Sequence, residues 1–372
     1  MEDPATRVRQ HTARVRYRRR VAESEEPATP VQPARLSRRM IIGLGLAAPT
    51  LAVPWLAGCS SDDPAAGNPV REAETPAAPA SGPAATPTPS PSPTAAGSSP
   101  PPAAAAAPEQ ALAALAAVIL VGPHRQQLPK DRRALLTFLR DAHSAHAHAI
   151  VNPLPTQAPV KLGGQSLNAS LALLSRREAV AAGRYRPAAL RTTGSDALLW
   201  GSLAIAAGGF ATALASGDPP ATYGVRARKP VEVLPEVAAV QELVRQLHAI
   251  VYGYQLAIGK MKLLSNARTR AEHELLAERI FRDRLIAWLR KRSAEVPAAE
   301  PAYVPSVVPH NAATAGRLIM RMQTALQPFC GLWLAAAASQ ADRQQALGAL
   351  GSAVKTARSW GAPLDAWPGW SS

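Results

Sequence analysis

From residue 109 to the end of the chain, apolar residues recur every three or four positions, and no stretch shows the strict alternation of a half-buried strand. The spacing predicts eight helices. The first spans 109–121 and stops at Gly122-Pro123, a helix-ending pair. The second starts near Pro129 and sets Leu135, Leu139, Ala142, His146 and Ala149 on one face. The third, over 165–183, carries Leu167, Leu171 and Leu174. The fourth, 195–216, is apolar on every side, which suits a helix buried among others or a membrane span. Its apolar character comes mainly from Ala and Gly, and Ser202 and Thr212 interrupt it, so burial is the expectation. After Pro235, the residues Val240, Val244, Leu247, Val251, Tyr254, Ile258 and Met261 line a fifth helix; a sixth covers 267–292 and a seventh 311–338. Pro328 is expected to kink or shorten the seventh, because it removes a backbone donor and clashes with the preceding turn. The eighth starts at Ser339, with Asp342 in the capping-box position. Two sets of four helices joined by short loops fit an all-α fold of two bundles, 109–230 and 231–372, packed together or merely joined.

The chain ahead of the helices reads differently. Ser37-Arg38-Arg39-Met40-Ile41-Ile42 places paired arginines before an apolar run, 40–56, in the basic, apolar, small order of a signal peptide. A twin arginine is a receptor-read address of the Tat route, which carries proteins already folded. Leu56-Ala57-Gly58-Cys59 follows at once and looks like a lipobox, in which Cys59 takes diacylglycerol and becomes the new N-terminus. A retained membrane helix is the plainer alternative, but the run is short, at about 17 residues, and Pro49 and Pro54 break it. Residues 1–58 are therefore expected to be a signal peptide with a long basic leader, leaving the mature chain lipid-anchored on the outer face of the cytoplasmic membrane. Residues 59–108 are almost wholly Pro, Ala, Ser, Thr and Gly, too poor in apolar bulk to offset ordering entropy, and read as a disordered tether. As polyproline II it reaches roughly 150 Å.

Charge narrows the partners. The formal net charge is +15, and since 1–58 holds ten Arg against five acidic residues, 59–372 keeps +10. A basic surface meets nucleic acid, anionic headgroups or acidic wall polymers. Export removes nucleic acid, leaving the membrane through the lipid anchor and, as binding partners, an envelope protein or an anionic wall polymer. The two cysteines are Cys59 and Cys330; with the first lipidated, no disulfide framework exists and Cys330 is expected to be a buried, inert thiol.

In the second half, His248-Ala-Ile-Val-Tyr252-Gly-Tyr254, Arg279-Ile-Phe-Arg282-Asp283, Ala302-Tyr303-Val-Pro305 and Trp367-Pro368-Gly369 stand in an order and spacing that resemble a ferritin-like domain family of unknown function found in actinobacterial exported lipoproteins. The resemblance covers about a third of the chain. It implies a ferritin-like four-helix bundle over 231–372, and no settled activity. The chain departs from the family where Leu247 and Gln323 stand in place of Glu, and where Glu278 stands in place of His. Di-iron sites of such bundles use Glu-x-x-His pairs, and the chain contains none.

Catalytic motifs are missing as well: there is no Gly-x-Ser-x-Gly and no phosphate loop, and Ser352-Ala-Val-Lys355 lacks the companion motifs of penicillin-binding enzymes. The expectation is a non-catalytic binding or structural envelope protein without an evident cofactor. The alternative is a divalent-metal protein. His143 and His146, three apart, share a face of the second helix, and Glu178 continues the stripe of the third; two imidazoles and a carboxylate meeting in a bundle core suit zinc or a similar ion. The plainer reading pairs Glu178 with a buried Arg and leaves the histidines to core hydrogen bonds. On the sixth helix Glu278 and Arg282, four apart, suggest a buried ion pair, of which losing one partner costs about 3–5 kcal/mol. His248 reads as a hydrogen-bonded core histidine, and Trp360, Trp367 and Trp370 as anchors for a terminal segment.

Overall fold

The computed structural model describes residues 102–156, 160, 164, 166–216 and 224–371. The export-signal residues Arg38, Arg39, Leu56, Ala57 and Gly58, the lipid-attachment residue Cys59 and the tether as far as 101 lie outside the described residues. The described chain is all-α. It comprises α1 (Pro102–Val121), α2 (Lys130–Ile150), α3 (Leu167–Arg191), α4 (Gly194–Ala215), α5 (Glu236–Ile258), α6 (Asn266–Lys291), α7 (Ala312–Ala336) and α8 (Gln340–Ser359), with one 3-10 turn at Arg125–Gln127 and no strand among the described residues. Side chains supply the amide partners that helix starts lack. Ser166, Ser265 and Ser339 accept from Ala169, Arg268 and Asp342, while Asn311 and Thr314 form a reciprocal capping box on α7.

Three boundaries differ from the periodicity. Helix α1 begins seven residues before the expected 109, inside the stretch read as tether, because an alanine run is the best helix former and its Ala106 is fully buried. Helix α3 runs through Gly183 and Pro187 to Arg191 rather than stopping at 183. A helical glycine costs about 1 kcal/mol, less than the roughly 1.5–3 kcal/mol gained by burying a large apolar side chain, and here Tyr185 and Ala189 are buried. Likewise α7 is not cut short at Pro328 but reaches Ala336, with Trp333 and Leu334 buried beyond the proline.

Helices α1 and α2 pair, α3 lies along α4 after the two-residue link Thr192-Thr193, α7 pairs with α8, and α5 packs on both α6 and α7. The halves share a core: α4 packs on α7, and both α3 and α4 touch α8. Leu135, Phe210, Leu243, Trp333 and Leu350 belong to one apolar cluster. Ala104–Val121 and Gly194–Ala215 are long and apolar enough to cross a membrane, yet two-thirds of the second is buried by its neighbours. Small residues allow that approach. A Cβ on Gly201 of α4 would stand 2.5 Å from Leu334 Cδ2 of α7.

After α8 the chain turns back across the bundle, with Ala366, Trp367 and Trp370 buried. The aromatic anchoring expected of the terminal tryptophans is present, and Arg228 lies 4.5 Å above the Trp370 ring. Gly369 has φ +89°, and its carbonyl oxygen would meet a Cβ on Gly331 of α7 at 2.0 Å. Backbone cannot step aside as a flexible side chain can. Gly331→Ala should therefore cost about 2–3 kcal/mol in urea unfolding, whereas Gly348→Ala, where a Cβ meets nothing within 4 Å on α8, should add up to about 1 kcal/mol. Equal effects of the two substitutions would show that the tail does not press on α7.

Candidate metal centre

Three helices bring polar side chains to one dry point. Glu109 shares an α1 face with Leu112, Ala116 and Ile119, at the three- and four-residue intervals that face α2. His143 and His146 leave α2 one turn apart, among Leu139, Ala142 and Ala147. Glu178 and Tyr185 stand on the buried α3 stripe of Leu174, Ala181 and Ala189. His143 and Glu178 have no solvent exposure, and Glu109, His146 and Tyr185 have 1% each.

Glu109 is the hub. Its Oε2 lies 2.7 Å from His143 Nδ1 and 2.8 Å from His146 Nδ1, and Tyr185 donates its hydroxyl to Oε1 at 2.5 Å. The far side of each imidazole is held too. His143 Nε2 is 2.6 Å from Glu178 Oε1, and His146 Nε2 donates to the Ala366 carbonyl at 2.8 Å. Phe210 packs edge-on to His143 and stacked on His146, and Trp367 closes the other side with its ring 4.6 Å from that of His146.

Burial pushes each ionisable group here towards its neutral form, and the partners decide the outcome. For Glu109, burial acts to raise the pKa, but the charges and hydrogen bonds of His143 and His146 outweigh it and hold the carboxyl well below the usual range. For His143, burial opposes the charged form, yet Glu178 and Glu109 on its two nitrogens lift it to about 10. Glu178 goes up, chiefly through burial, and its Oε2 is buried without any hydrogen-bond partner. Burial and Glu109 also push the Tyr185 hydroxyl up, so it stays a donor. Two carboxyls are thus driven apart, one kept ionised and one inclined to hold a proton.

His143, His146 and Glu178, named from the sequence, are brought together, but through a residue that was not named. One ligand atom from each of Glu109, His143 and His146 falls within 4.8 Å of the others. Glu178 instead backs His143 from the opposite ring nitrogen. Among the described residues no buried arginine meets Glu178; its hydrogen-bonded partner is His143. His148 is exposed.

The residues picked out in the second half do not converge. His248 is half-buried and donates Nε2 to the Pro297 carbonyl at 3.2 Å; burial and the nearby Arg282 lower its pKa. The Tyr252 ring lies 5.7 Å from that of Tyr303. The expected Glu278–Arg282 ion pair is absent: Arg282 turns to the adjacent Asp283 at 2.7 Å, where both reach solvent, and Glu278 accepts from Gln323 at 2.8 Å. A neutral amide meets the buried carboxyl without a second desolvated charge. Gln323 also donates to Tyr254, whose hydroxyl donates to Glu274, and Trp360 donates to the same Glu274 oxygen at 2.7 Å. Burial raises both Glu274 and Glu278. Cys330 is a free thiol without solvent exposure, pushed up by burial.

Residues 239–372 match the model of a domain of unknown function (DUF4439). No curated protein and no solved structure matches the chain. The cluster's five side chains all come from helices ahead of the matched segment; that segment adds only the Ala366 carbonyl and the Trp367 ring.

The site's titration should be visible in the stability of the metal-free protein. His143, raised from 6.5 to about 10, contributes fully below pH 6.5 and loses its contribution as pH rises through about 10. Glu109, depressed from 4.5, contributes above that value and loses its contribution as pH falls below it. Urea unfolding between pH 6.5 and 10 should show stability falling by up to about 1.4 kcal/mol per unit, the slope of one proton. His143→Gln, which does not titrate, should flatten that slope, and an unchanged slope would show that another group carries it.

Proposed function

We propose that this protein is a lipid-anchored, extracytoplasmic helical protein whose body holds one divalent transition-metal ion, of the zinc class, between Glu109, His143 and His146. In this reading the second half is a ferritin-like bundle that carries no metal, and the protein binds an envelope component rather than catalysing a reaction. The observation that carries the metal assignment is the orientation of the two imidazoles. Both aim Nδ1 at one carboxylate oxygen, while a carboxylate and a backbone carbonyl fix the Nε2 positions, and metal-bound histidines are almost always held by such outer partners. Complete burial assigns the ion a cross-linking role between α1 and α2, since neither water nor a substrate reaches it.

The contact distances favour a second reading of the same groups. Ligands around a zinc ion at about 2.0–2.1 Å stand roughly 3.3 Å apart, whereas Glu109 Oε2 is 2.7 and 2.8 Å from the two nitrogens. In this second reading, protons bridge the groups in place of the ion. Loading an ion means opening each contact by about half an ångström and displacing the hydrogens held between Glu109 and the two rings.

Anchoring rests on the Arg38-Arg39 pair and on the Leu56-Ala57-Gly58-Cys59 motif. Mass spectrometry of the protein recovered from membranes of an expressing actinobacterium should find a diacylglyceryl N-terminus at Cys59; a free thiol there overturns the anchor. The metal reading is tested on the full chain by elemental analysis and by zinc titration in weak buffer. One zinc per chain, bound with release of protons, is expected at pH 8, and both binding and release should be lost in Glu109→Ala and His146→Ala. A chain that binds no zinc at pH 8 but unfolds with the His143-dependent slope belongs to the proton-bridged reading.

A further inference from the structure

On the far side of Trp367 from the histidines, a cavity of about 560 Å³ opens between α4, α7, α8, the segment 224–228 and the C-terminal tail. Its floor is apolar, with Phe138, Ile205, Leu364 and Trp367 among its lining. Its charged groups are mostly of one sign. Arg226, Arg228, Arg321 and Arg358 line it, and the single carboxylate, Asp365, already accepts the Trp367 amide hydrogen.

Arg228, Arg321 and Arg358 pair with no carboxylate among the described residues. Arg358 uses Nη1 on the Gly209 carbonyl, and its Nε is buried with no partner. Arg321 donates to the Ser306 carbonyl at 3.3 Å. Arg228 is held flat against Trp370 and Trp367, a stacking that fixes a guanidinium while leaving its edge open. Burial lowers both Arg228 and Arg358, the direction expected of cations kept from water without a counter-ion.

Chemistry narrows the occupant. The volume is that of a small-molecule site. A bare inorganic anion satisfies the arginines but leaves the apolar floor wet. A neutral apolar molecule fills the floor and leaves the half-buried Arg228 guanidinium, which lines the cavity, without an anionic partner. Planar guanidinium forks are suited to carboxylate and phosphate oxygens. We propose that this cavity binds a small amphipathic anion, a carboxylate or phosphate ester carried on an apolar body.

The test uses the full-length chain and two fluorescent probes of the same apolar shape, anionic 8-anilinonaphthalene-1-sulfonate and its uncharged relative N-phenyl-1-naphthylamine. The sulfonate should bind once per chain and at least tenfold tighter than the neutral probe. Arg228→Gln combined with Arg321→Gln should weaken the sulfonate about tenfold and the neutral probe less than twofold. Thr324→Trp, at an exposed position on the lining, should fill the mouth and block both probes without touching the core. Oleate should displace the sulfonate at micromolar concentration, and lauryl phosphate likewise, the stronger competitor naming the head group. Equal affinity of the two probes, indifference to either variant, or displacement by millimolar inorganic phosphate alone would each overturn the proposal.

Discussion

A single carboxylate, kept charged where water does not reach, organises the first half of this molecule. Glu109 accepts hydrogen bonds from Tyr185 on α3 and faces both imidazoles of α2 from its own place on α1, so three helices meet on two oxygen atoms. An isolated carboxylate at 1% exposure would be neutral. What keeps this one ionised is the positive charge shared with the histidines, and what keeps the histidines in place is a further ring of acceptors, Glu178 and the Ala366 carbonyl. The arrangement is all or nothing. Deleting any member leaves another desolvated without a partner, the condition under which a buried polar network becomes costlier than plain hydrocarbon.

The polar cluster of the second half shows the contrast. Glu274, Glu278, Tyr254 and Gln323 join α5, α6 and α7 by hydrogen bonds, and the nearby cation, Arg270, stands at the solvent edge, 3.9 Å from Glu274, too weakly placed to offset burial. The cluster's carboxyls are consequently pushed up rather than down. The two halves thus solve the burial of acids differently, one by ion pairing between fully buried groups and one chiefly by neutral donors. Between them runs the C-terminal tail, whose Trp367 has the histidine cluster on one side and the arginine-lined cavity on the other.

Much of this was legible in residue spacing. The eight helices and the buried character of α4 follow from apolar periodicity, and the inward placement of His143, His146 and Glu178 follows from their register with leucines and alanines. Glu109 stands at the start of the helix that periodicity predicts, so its inward placement shows only in its three- and seven-residue spacing to Leu112 and Ala116, concealed by Pro108 and the alanine run before it. Tyr185 escaped because Gly183 was read as a stop, although it continues the stripe of Glu178 and Ala181. The pairing of Glu278 with Gln323 rather than Arg282 depends on how α6 rotates against α7, which spacing within one helix does not define. The Ala366 carbonyl lay beyond reach, since a backbone oxygen 220 positions from its partner leaves no mark in residue type.

That last contact bears on how the molecule matures. His146 emerges from the ribosome 220 residues ahead of Ala366. The α1–α3 cluster therefore waits through synthesis of the entire second half with one imidazole edge uncapped and the Trp367 side open. Only after Ala366 and Trp367 have emerged can that side be sealed, so the N-terminal centre is completed later than the helices of the second half.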